Sequence, residues 1–424
     1  MGDVVVIGAG VAGIQAALDL AAHGIHVHLV EREPTIGGHM AQLDKTFPTN
    51  DCSMCILSPK MMDVSRTPEI TIHTCSEVEK IEGSVGKFQV TIRKYPRYVD
   101  EELCNGCGDC IQVCPVETYN RFDAGVGVRK AIYKSHPQVV PDIVIKDAEH
   151  CIECGLCYEV CGRDAILRED TEKILTVDAA SIIVTTGYTT FDPTLKEQFG
   201  YGTCPDVITS LELERMINAS GPTGGKVKRI SNGEIPHHIL FIQCVGSRDP
   251  AIGCRHCSCV CCMAAMKNAL LIREKNPDIE VTICYMDIRA YGKGYEEYYQ
   301  RAEDAGVRFL RGMPGSVIEN GNGMLVTVEN TENGEMISLK PDLVVLSVGM
   351  AAPATTAELA DKLGIPQEEN GFLKPVDDKI NTVVTVRPGI YLAGTAIAPK
   401  DIPDSVAHGG SAAMRAYIDA VRTG

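Results

Sequence analysis

Eight cysteines of this chain fall into two copies of one spacing, Cys-x-x-Cys-x-x-Cys-x-x-x-Cys, at residues 104–114 and 151–161. Thiolates at this spacing hold [4Fe–4S] clusters, and the last cysteine of each run binds the cluster of the other run. The sets cross because a thiolate on the helix that follows the loop points away from the cube that the loop surrounds. The first predicted set is Cys104, Cys107, Cys110 and Cys161, and the second is Cys151, Cys154, Cys157 and Cys114.

Zinc and disulfides are the alternative uses of so many cysteines. Zinc sites usually use paired Cys-x-x-Cys knuckles, whereas these runs are triple and the first ends in Cys-Pro. Disulfide frameworks belong to short secreted chains, and this chain has 424 residues and 19 cysteines. We therefore expect a reducing, cytoplasmic location in which the thiols bind iron–sulfur clusters.

The charge and composition narrow the classes of partner and reaction. The formal net charge is −16 and there is no basic run, which argues against nucleic acid and anionic membrane surfaces as partners. No apolar run approaches the roughly 20 residues of a membrane helix, so we expect no direct membrane span. No Ser/His/Asp constellation, paired-carboxylate site or Walker loop stands out, so hydrolysis and phosphoryl transfer have no support.

A dinucleotide-binding fingerprint opens the chain. An apolar strand, the turn Gly8-Ala-Gly10-Val-Ala-Gly13, a helix through Ala22 and a second strand ending at Glu31 follow one another. The glycines allow a tight turn, a close approach of pyrophosphate and close helix packing, and the acidic residue bonds the ribose. A glycine pair at 37–38, which includes Gly38, is typical of flavin enzymes and favours FAD over NAD.

The rest of the flavin domain is spread along the chain. Residues 70–95 alternate apolar and polar and predict strands of a small antiparallel insertion. The ferredoxin-type unit then interrupts, and the strand ending at Gly187 returns under the FAD. A last strand, ending in Gly394-Thr395, leads to a turn and helix start that contain His408. His408 is either a flavin contact or a satisfied core histidine.

A second Rossmann-type strand begins at His238, but the glycine loop that would bind NAD(P)H is missing after it. Six cysteines occur instead within the 19 residues from Cys244 to Cys262. Such a density is too high for packing alone and predicts a metal centre.

Four stretches carry a resemblance to a known family. They are the residues from Gly37 through Asp51-Cys-Ser-Met-Cys to Lys60, then Pro96–Asp100, Arg129–Tyr133 and Ile288–Glu297. Over essentially its whole length the chain resembles HdrA, the flavin and iron–sulfur subunit of heterodisulfide reductase. That resemblance implies a third, non-ferredoxin [4Fe–4S] cluster held by Cys244, Cys257, Cys261 and Cys262. Cys254 and Cys259 are extra thiols, so another choice of four stays open.

The resemblance also implies roles for residues outside the clusters. It places Lys267 near the flavin ring as a catalytic cation that stabilises the reduced cofactor; the alternative is a solvated surface lysine. Cys52 and Cys55 are either a redox dithiol beside the flavin or buried thiols packed near it, and we favour the second interpretation.

The predicted fold is α/β: a thioredoxin-reductase-like two-domain flavoprotein with Rossmann-type sheets and an inserted two-cluster bacterial ferredoxin domain. The predicted parts are the FAD-binding domain at 1–97, the ferredoxin-like insertion at 98–168, the FAD-binding domain with a connection at 169–235, an NAD-domain-like part with the third cluster at 236–375, and the last FAD-binding part at 376–424.

The function implied by the resemblance is that of an FAD and iron–sulfur subunit of an oxidoreductase complex. Its flavin distributes electrons between three [4Fe–4S] clusters, by bifurcation, by confurcation or as a simple relay in a quinone-interacting or aromatic acyl-CoA reductase complex. A stand-alone NAD(P)H:ferredoxin-type dehydrogenase is the other alternative. Long family members carry an additional N-terminal domain and a terminal ferredoxin module. We expect partner subunits, such as heterodisulfide reductase B/C-like, hydrogenase or ferredoxin proteins, to complete an oligomeric complex.

Overall fold

The structure is a computed structural model that describes residues 1–319, 321 and 323–423. The chain divides into two compact units. Unit 1 consists of Met1–Ala41, Cys55–Tyr188 and Ala352–Gly424, and unit 2 consists of Gln42–Met54 and Thr189–Ala351. Each unit is compact, with most of its contacts within itself. The finer domain bounds given above stay predictions.

The helices, numbered in chain order, are α1 Val11–Ala22, α2 Ser53–Arg66, α3 Asp109–Val113, α4 Leu156–Val160, α5 Ser210–Ile217, α6 Cys261–Lys275, α7 Tyr295–Asp304, α8 Thr356–Leu363 and α9 Ile402–Thr423. The strands are β1 Val4–Ile7, β2 Val27–Val30, β3 Ile70–His73, β4 Ser76–Ser84, β5 Lys87–Lys94, β6 Glu117–Tyr119, β7 Val128–Lys130, β8 Ile132–Tyr133, β9 Ile145–Lys146, β10 Lys173–Ala179, β11 Ser181–Val184, β12 Thr189–Thr190, β13 Val207–Thr209, β14 His238–Val245, β15 Glu280–Tyr285, β16 Arg308–Arg311, β17 Val317–Glu319, β18 Met324–Asn330, β19 Glu335–Leu339, β20 Leu343–Val348, β21 Met350–Ala351 and β22 Ile390–Leu392.

Unit 1 is organised around a parallel sheet of strand order β22-β11-β1-β2-β3. Val4 pairs with Val27 on one side and with Ser181 on the other. β1 and β11 are short apolar runs that are buried throughout, as is usual for central strands of a parallel sheet covered on both faces. The carboxyl ends of these strands form the edge at which doubly wound folds bind their ligands.

The strand at residues 70–73 does not belong to the antiparallel insertion, so this part of our prediction was wrong. β3 pairs in parallel with β2, with Val27 opposite Ile70, at the edge of the main sheet. The antiparallel sheet contains β10, β5 and β4. Alternating polarity shows that one face of a strand is buried, but it carries no information on the direction of the partner strand.

The ferredoxin-type insertion lies between β5 and β10. It contains two two-stranded sheets, β6-β7 and β8-β9, and the short helices α3 and α4. A buried cluster within it consists of Val99, Cys110, Ile132, Val144 and Ile166, with partly buried cysteines packed against it.

Unit 2 has its own parallel sheet, of order β13-β20-β14-β15-β16, and a separate antiparallel sheet, β17-β18-β19. β20 is buried throughout, and β14 is buried over most of its length. Helix α6 is buried from Cys262 to Ile272 except at Ala264. This is the Rossmann-type architecture predicted for the part of the chain that follows His238.

None of the described helices is both long enough and apolar enough to cross a lipid bilayer.

Candidate flavin and iron–sulfur sites

The turn after β1 is shaped by three glycines with different tasks. Gly8 has φ +100°, and a Cβ there would lie 2.5 Å from the carbonyl oxygen of Thr185. A Cβ at Gly13 would lie 2.0 Å from the carbonyl oxygen of Gly8, so α1 packs directly on the turn. At Gly10 a Cβ would meet nothing within 4 Å. Gly8 and Gly13 close the turn, whereas Gly10 leaves open space in front of the amino end of α1.

The start of α1 is free to receive an anion. Its N-cap residue is Gly10, which provides no side-chain cap. The first backbone N–H groups of a helix lack intrahelical partners and carry partial positive charge, which suits a pyrophosphate. The Glu31 carboxylate accepts hydrogen bonds from the amide of Ala9 (2.7 Å) and from that of Glu33 (2.9 Å). Burial raises the pKa of Glu31.

The other predicted flavin residues gather at the same edge of the sheet. A Cβ at Gly38 would lie 2.9 Å from the Cα of Gly10, and one at Gly394 would lie 2.9 Å from the Cβ of Ala12. Gly187 faces Thr395, whose Oγ1 would lie 4.0 Å from a Cβ added at Gly187. Segments far apart in sequence therefore surround the glycine turn.

Two buried polar atoms of unit 1 fit an additional ligand here. The Oγ1 of Thr186, next to Gly187, and the Nδ1 of His408 have no hydrogen-bond partner among the described residues. His408 lies inside α9, which begins at Ile402, and burial lowers its pKa. Because buried polar atoms are normally paired, these two atoms and the space at Gly10 fit FAD better than a closed core.

The first ferredoxin-type cysteine set lines a common cavity. Its volume is about 270 Å³, and its walls include Cys104, Cys107, Cys110 and Cys161. Cys110 lies in α3, and Cys161 ends α4. The cavity therefore brings the last cysteine of the second run to the first three of the first run, as the crossed assignment requires. Burial and the neighbouring thiolates, Cys104 first among them, raise the pKa of Cys110 to about 12.

The second set is built by the same local geometry. Gly108 and Gly155 precede α3 and α4 with left-handed backbone angles, φ 86° in both cases. Cys114 ends α3 as Cys161 ends α4, and Cys157 lies in α4 as Cys110 lies in α3. Burial is the main cause that raises the pKa of Cys157, and the charges of Cys151 and Cys154 act in the same direction.

The sulfur spacing suits clusters rather than single zinc ions. Among the described residues, no three cysteines have sulfur atoms that all lie within 4.8 Å of one another. A tetrahedral zinc site with Zn–S bonds of about 2.3 Å would bring its sulfurs to about 3.8 Å. The thiols of the first set instead line a larger space, the cavity at Cys104.

A buried cation lies beside the second set, and no pattern in the sequence predicts it. Lys146 is 5% exposed, donates a hydrogen bond to the hydroxyl of Tyr158 (3.0 Å) and lies over the rings of Tyr98 and Tyr158. Its charge lowers the pKa of Cys157, although burial outweighs it there. A lysine in an alternating strand carries no sequence signal for this role, because the ring contacts come from distant residues.

In unit 2 a strand irregularity positions the first predicted ligand of the third centre. The pairing of β14 with β20 runs regularly to Ile242 and then shifts, so that Val245 lies opposite Val348. Cys244 lies within this bulge and has φ +59°. A bulge re-aims a side chain that regular pairing would direct at the sheet face. Cys259 also has a positive φ, +62°.

Four of the six cysteines of this segment influence one another's charge, which indicates that they lie close together. After burial, the charges of Cys244, Cys262 and Cys257 are the largest causes that raise the pKa of Cys261. The pKa of Cys254 is raised by burial and by Asp249, with no thiol among the causes, and its sulfur lies 3.6 Å from Nδ1 of His256. Cys254 therefore lies apart from the group formed by the four predicted ligands.

Cys259 has a supporting contact with one of the four. The Cys259 amide donates to the sulfur of Cys257 (3.3 Å). The pKa of Cys257 is lowered to about 5, chiefly by the Cys259 side chain, with Arg289 and Arg248 contributing. Both arginines are paired with Asp287. The predicted ligand set for the third cluster stays a prediction, and this geometry favours it over sets that include Cys254.

Lys267 is not a solvated surface lysine. It is 1% exposed and pairs with Glu214, which is 3% exposed, within unit 2. Its ammonium group also donates to the backbone oxygen of Lys45 (3.1 Å), and Glu214 accepts from the amide of Asp44 (3.0 Å). The predicted contact of Lys267 with the flavin stays a prediction.

Cys52 and Cys55 are both disulfide-bonded, and the other 17 cysteines are free thiols. Cys52 is partly exposed and Cys55, in the first turn of α2, is exposed. The interpretation that we favoured, a pair of buried thiols, is therefore wrong. The Cys-x-x-Cys spacing at a helix start is the sequence signal for a redox pair.

Comparisons with known proteins agree with this geometry. A family model described as FAD dependent oxidoreductase matches residues 3–53, and one described as 4Fe-4S dicluster domain matches residues 103–166. Two solved thioredoxin reductases share the fold with a TM-score of 0.55. The T. acidophilum enzyme is 16% identical, with 99% of each chain covered, and the Lactococcus lactis enzyme is 18% identical, with 100% of each covered.

The class is thus a flavoprotein of thioredoxin-reductase fold with an inserted iron–sulfur dicluster domain. Among curated relatives, the A-type subunit of the H(2):CoB-CoM heterodisulfide,ferredoxin reductase of Methanothermobacter marburgensis is 52% identical over 98% of this chain and 64% of its own length. A CoB–CoM heterodisulfide reductase iron-sulfur subunit of the same type from Methanopyrus kandleri is 55% identical over 97% of this chain and 63% of its own length. Over nearly its whole length the chain is thus similar to the A-type subunits of heterodisulfide reductases. It spans somewhat less than two thirds of the length of these relatives.

Proposed function

We propose that this chain binds one FAD and three [4Fe–4S] clusters and transfers electrons between them as a subunit of a heterodisulfide-reductase-like complex. FAD exchanges electrons in pairs and a [4Fe–4S] cluster exchanges them singly, so a chain that holds both converts one kind of transfer into the other.

The observation that carries this proposal is the end of β14. In a two-domain pyridine-nucleotide flavoprotein, this strand would lead into a glycine turn at a helix start that binds a dinucleotide. Here it leads into the bulge at Cys244, and α6 begins with Cys261 and Cys262. Thiols replace the glycine loop, so electrons enter or leave unit 2 through a cluster and not through NAD(P)H.

The residues of unit 1 have the complementary task. Gly10 and the amino end of α1 bind the pyrophosphate, Glu31 bonds the ribose, and Gly38, Gly187, Gly394, Thr395 and His408 line the remainder of the FAD site. The two cysteine runs of the insertion hold two clusters. Lys267 is the proposed cation that favours the reduced flavin.

The finer proposal is that the flavin splits electron pairs between two acceptors. The Methanosarcina acetivorans relative, 46% identical, is named as the A-type subunit of a Ferredoxin/F(420)H(2)-dependent CoB-CoM heterodisulfide reductase. Such a name, for that protein, joins a low-potential carrier with a disulfide substrate. For this chain we propose partners of the same kinds, in the cytoplasm: a ferredoxin or hydrogenase, together with a heterodisulfide-reducing subunit.

The first experiment counts cofactors in the anaerobically purified chain. We expect about twelve irons and about one FAD per chain, and no bleaching of the flavin by NADH or NADPH alone. Cys261→Ala should retain FAD and about eight irons. About eight irons in the unmodified chain, or rapid flavin reduction by NADPH, would favour a dehydrogenase with a ferredoxin arm.

The second experiment separates pair splitting from a simple relay in the assembled complex. Ferredoxin reduction is followed with and without the disulfide oxidant. Strict dependence of one acceptor on the other supports bifurcation, whereas independent reduction of each acceptor shows that the chain only relays electrons.

A further inference from the structure

A cluster of metal-ligating side chains lies in unit 1 at the amino end of the parallel sheet. Asp3 immediately precedes β1, His26 immediately precedes β2, and His28 lies in β2. The glycine turn that follows Ile7 is at the other end of β1, so this cluster is separate from the proposed FAD site. Neither the flavin nor the cluster chemistry uses these three residues.

We propose that Asp3, His26 and His28 bind one divalent transition metal ion of the zinc class. One carboxylate oxygen of Asp3 lies 3.1 Å from Nδ1 of His26 and 3.3 Å from Nε2 of His28. One ligand atom from each of the three residues can be chosen so that all lie within 4.8 Å of one another. With metal–ligand bonds of about 2.0–2.1 Å, the edge of a coordination tetrahedron is about 3.3 Å. The distances from the Asp3 oxygen to the two imidazole nitrogens therefore match the distances between ligand atoms around one tetrahedral ion.

The second ring nitrogens support the same assignment. Nε2 of His26 lies 3.1 Å from the hydroxyl of Thr71, and Nδ1 of His28 lies 3.2 Å from Nε2 of His73. Histidines that bind metals almost always use the other ring nitrogen in a hydrogen bond, which selects the tautomer and orients the ring. Both imidazoles are held in this way by residues of the neighbouring strand β3.

The exposure of the three residues leaves a path for the ion and for water. The side chains of Asp3 and His26 are each 37% exposed, and that of His28 is 13% exposed. Two imidazoles and one carboxylate leave a fourth position for solvent. A bound ion would connect β1 with β2 directly and β3 through the hydrogen bonds, and so stabilise the amino end of the sheet.

The test uses the full chain loaded with FAD and clusters, with its iron count verified. Zinc sulfate is added at free concentrations set by a chelator buffer, and zinc per chain is measured after gel filtration. We expect about one more zinc per chain than in His26→Gln. Thr71→Val, which removes only the supporting hydroxyl, should weaken zinc binding by about 10- to 100-fold. His23→Gln, a histidine outside the cluster, should bind like the unmodified chain.

A spectroscopic measurement on the unmodified chain identifies the atoms that bind the zinc. Zinc X-ray absorption should show a first shell of nitrogen and oxygen with imidazole scattering. A sulfur-dominated shell, or equal zinc in the unmodified chain and in folded His26→Gln, would assign the zinc to stray thiols and overturn the proposal.

Discussion

The ferredoxin-type insertion and the Cys244–Cys262 segment each supply predicted cluster ligands, but they are built in opposite ways. In the insertion a single local device occurs twice: a left-handed glycine, a five-residue helix that carries one ligand, and a terminal cysteine. In unit 2 the ligands come from a strand bulge, a loop and a helix start. The cluster sites of the insertion are formed by residues close together in sequence. The site in unit 2 forms only when several separate elements have folded.

The two regions also differ in what holds them together without metal. One buried cluster of the insertion contains five residues, each at most 8% exposed, and one of them, Cys110, is itself a predicted ligand. Unit 2 has a continuous apolar core on its parallel sheet, which includes Leu240, Ile242, Val344 and Leu346, each with 0% exposure. Because predicted ligands form part of the buried cluster of the insertion, we expect cluster binding to supply much of its folding free energy.

The largest expected effect follows from this difference. Removal of iron by an anaerobic chelator should unfold the insertion, so that amides of residues 98–168 lose hydrogen-exchange protection. The sheet of unit 2 should keep its protection, because its core does not contain the cluster ligands. Mass-spectrometric hydrogen exchange of loaded and iron-free protein measures both in one sample. Equal loss of protection in both regions would show that the third centre is as essential to its unit as the other two are to the insertion.

The second effect is the loss of one cluster from unit 2 alone. Cys257→Ala should remove about four irons, while Cys259→Ala should retain the full iron content because Cys259 only supports Cys257. Cys254→Ala serves as the matched control, since the Cys254 thiol lies apart from the four predicted ligands. Iron and FAD analysis of the three variants decides the ligand set. Iron loss in Cys259→Ala with full retention in Cys257→Ala would exchange the roles of these two cysteines.

This contrast explains how much the sequence could predict. For the insertion the sequence allowed a prediction for each individual ligand, because the spacing itself determines the loop, and the glycine turn at Gly8 could be predicted for the same reason. The direction of β3 was not predictable, because pairing direction depends on distant strands. The partner of Lys267 was not predictable either, since Glu214 lies on another helix and the pair forms only when α5 and α6 pack. The cluster of Asp3, His26 and His28 was not predictable either, because neighbouring strands bring these residues together and no local sequence motif marks them.

The insertion and unit 2 each bury a lysine, Lys146 and Lys267, and the third prediction concerns Lys267. Lys267→Met leaves the Glu214 carboxylate buried without its cation and should destabilise unit 2 by about 3–5 kcal/mol. Lys267→Met/Glu214→Gln removes both charges and should recover most of this loss. Urea dependence of hydrogen exchange in α6 measures both variants. If the single and double variants are equally destabilised, the ion pair is not the source of the effect.

A flavin measurement on the folded single variant Lys267→Met then addresses the proposed role of Lys267. Loss of the cation while the Glu214 carboxylate stays in place should lower the reduction potential of FAD, because the cation favours the reduced, more negative form. An unchanged flavin potential in a folded Lys267→Met chain would place Lys267 among purely structural residues.

The smallest effect concerns the lysine of the insertion. Unlike Lys267, Lys146 has no carboxylate within ion-pair distance among the residues that the structure describes; its partners are the Tyr158 hydroxyl and two aromatic rings. Its charge is therefore not neutralised locally and should stabilise the reduced, more negative second cluster. Near the first set, Lys134 is instead paired with Asp142 (2.5 Å). The asymmetry predicts that the second cluster has the higher potential of the two.

Lys146→Met should lower the potential of the second cluster and leave the first nearly unchanged. An unscreened unit charge a few ångströms away contributes about 1 kcal/mol or more, which for one electron is on the order of 50 mV. Redox titration followed by electron paramagnetic resonance resolves the two clusters, and Lys130→Met, whose lysine pairs with Glu117 on the surface of the same insertion, is the control. A uniform shift of both clusters would mean that Lys146 acts through the fold of the insertion. A shift confined to one cluster would show that a single cation without a carboxylate partner makes the two similar repeats unequal.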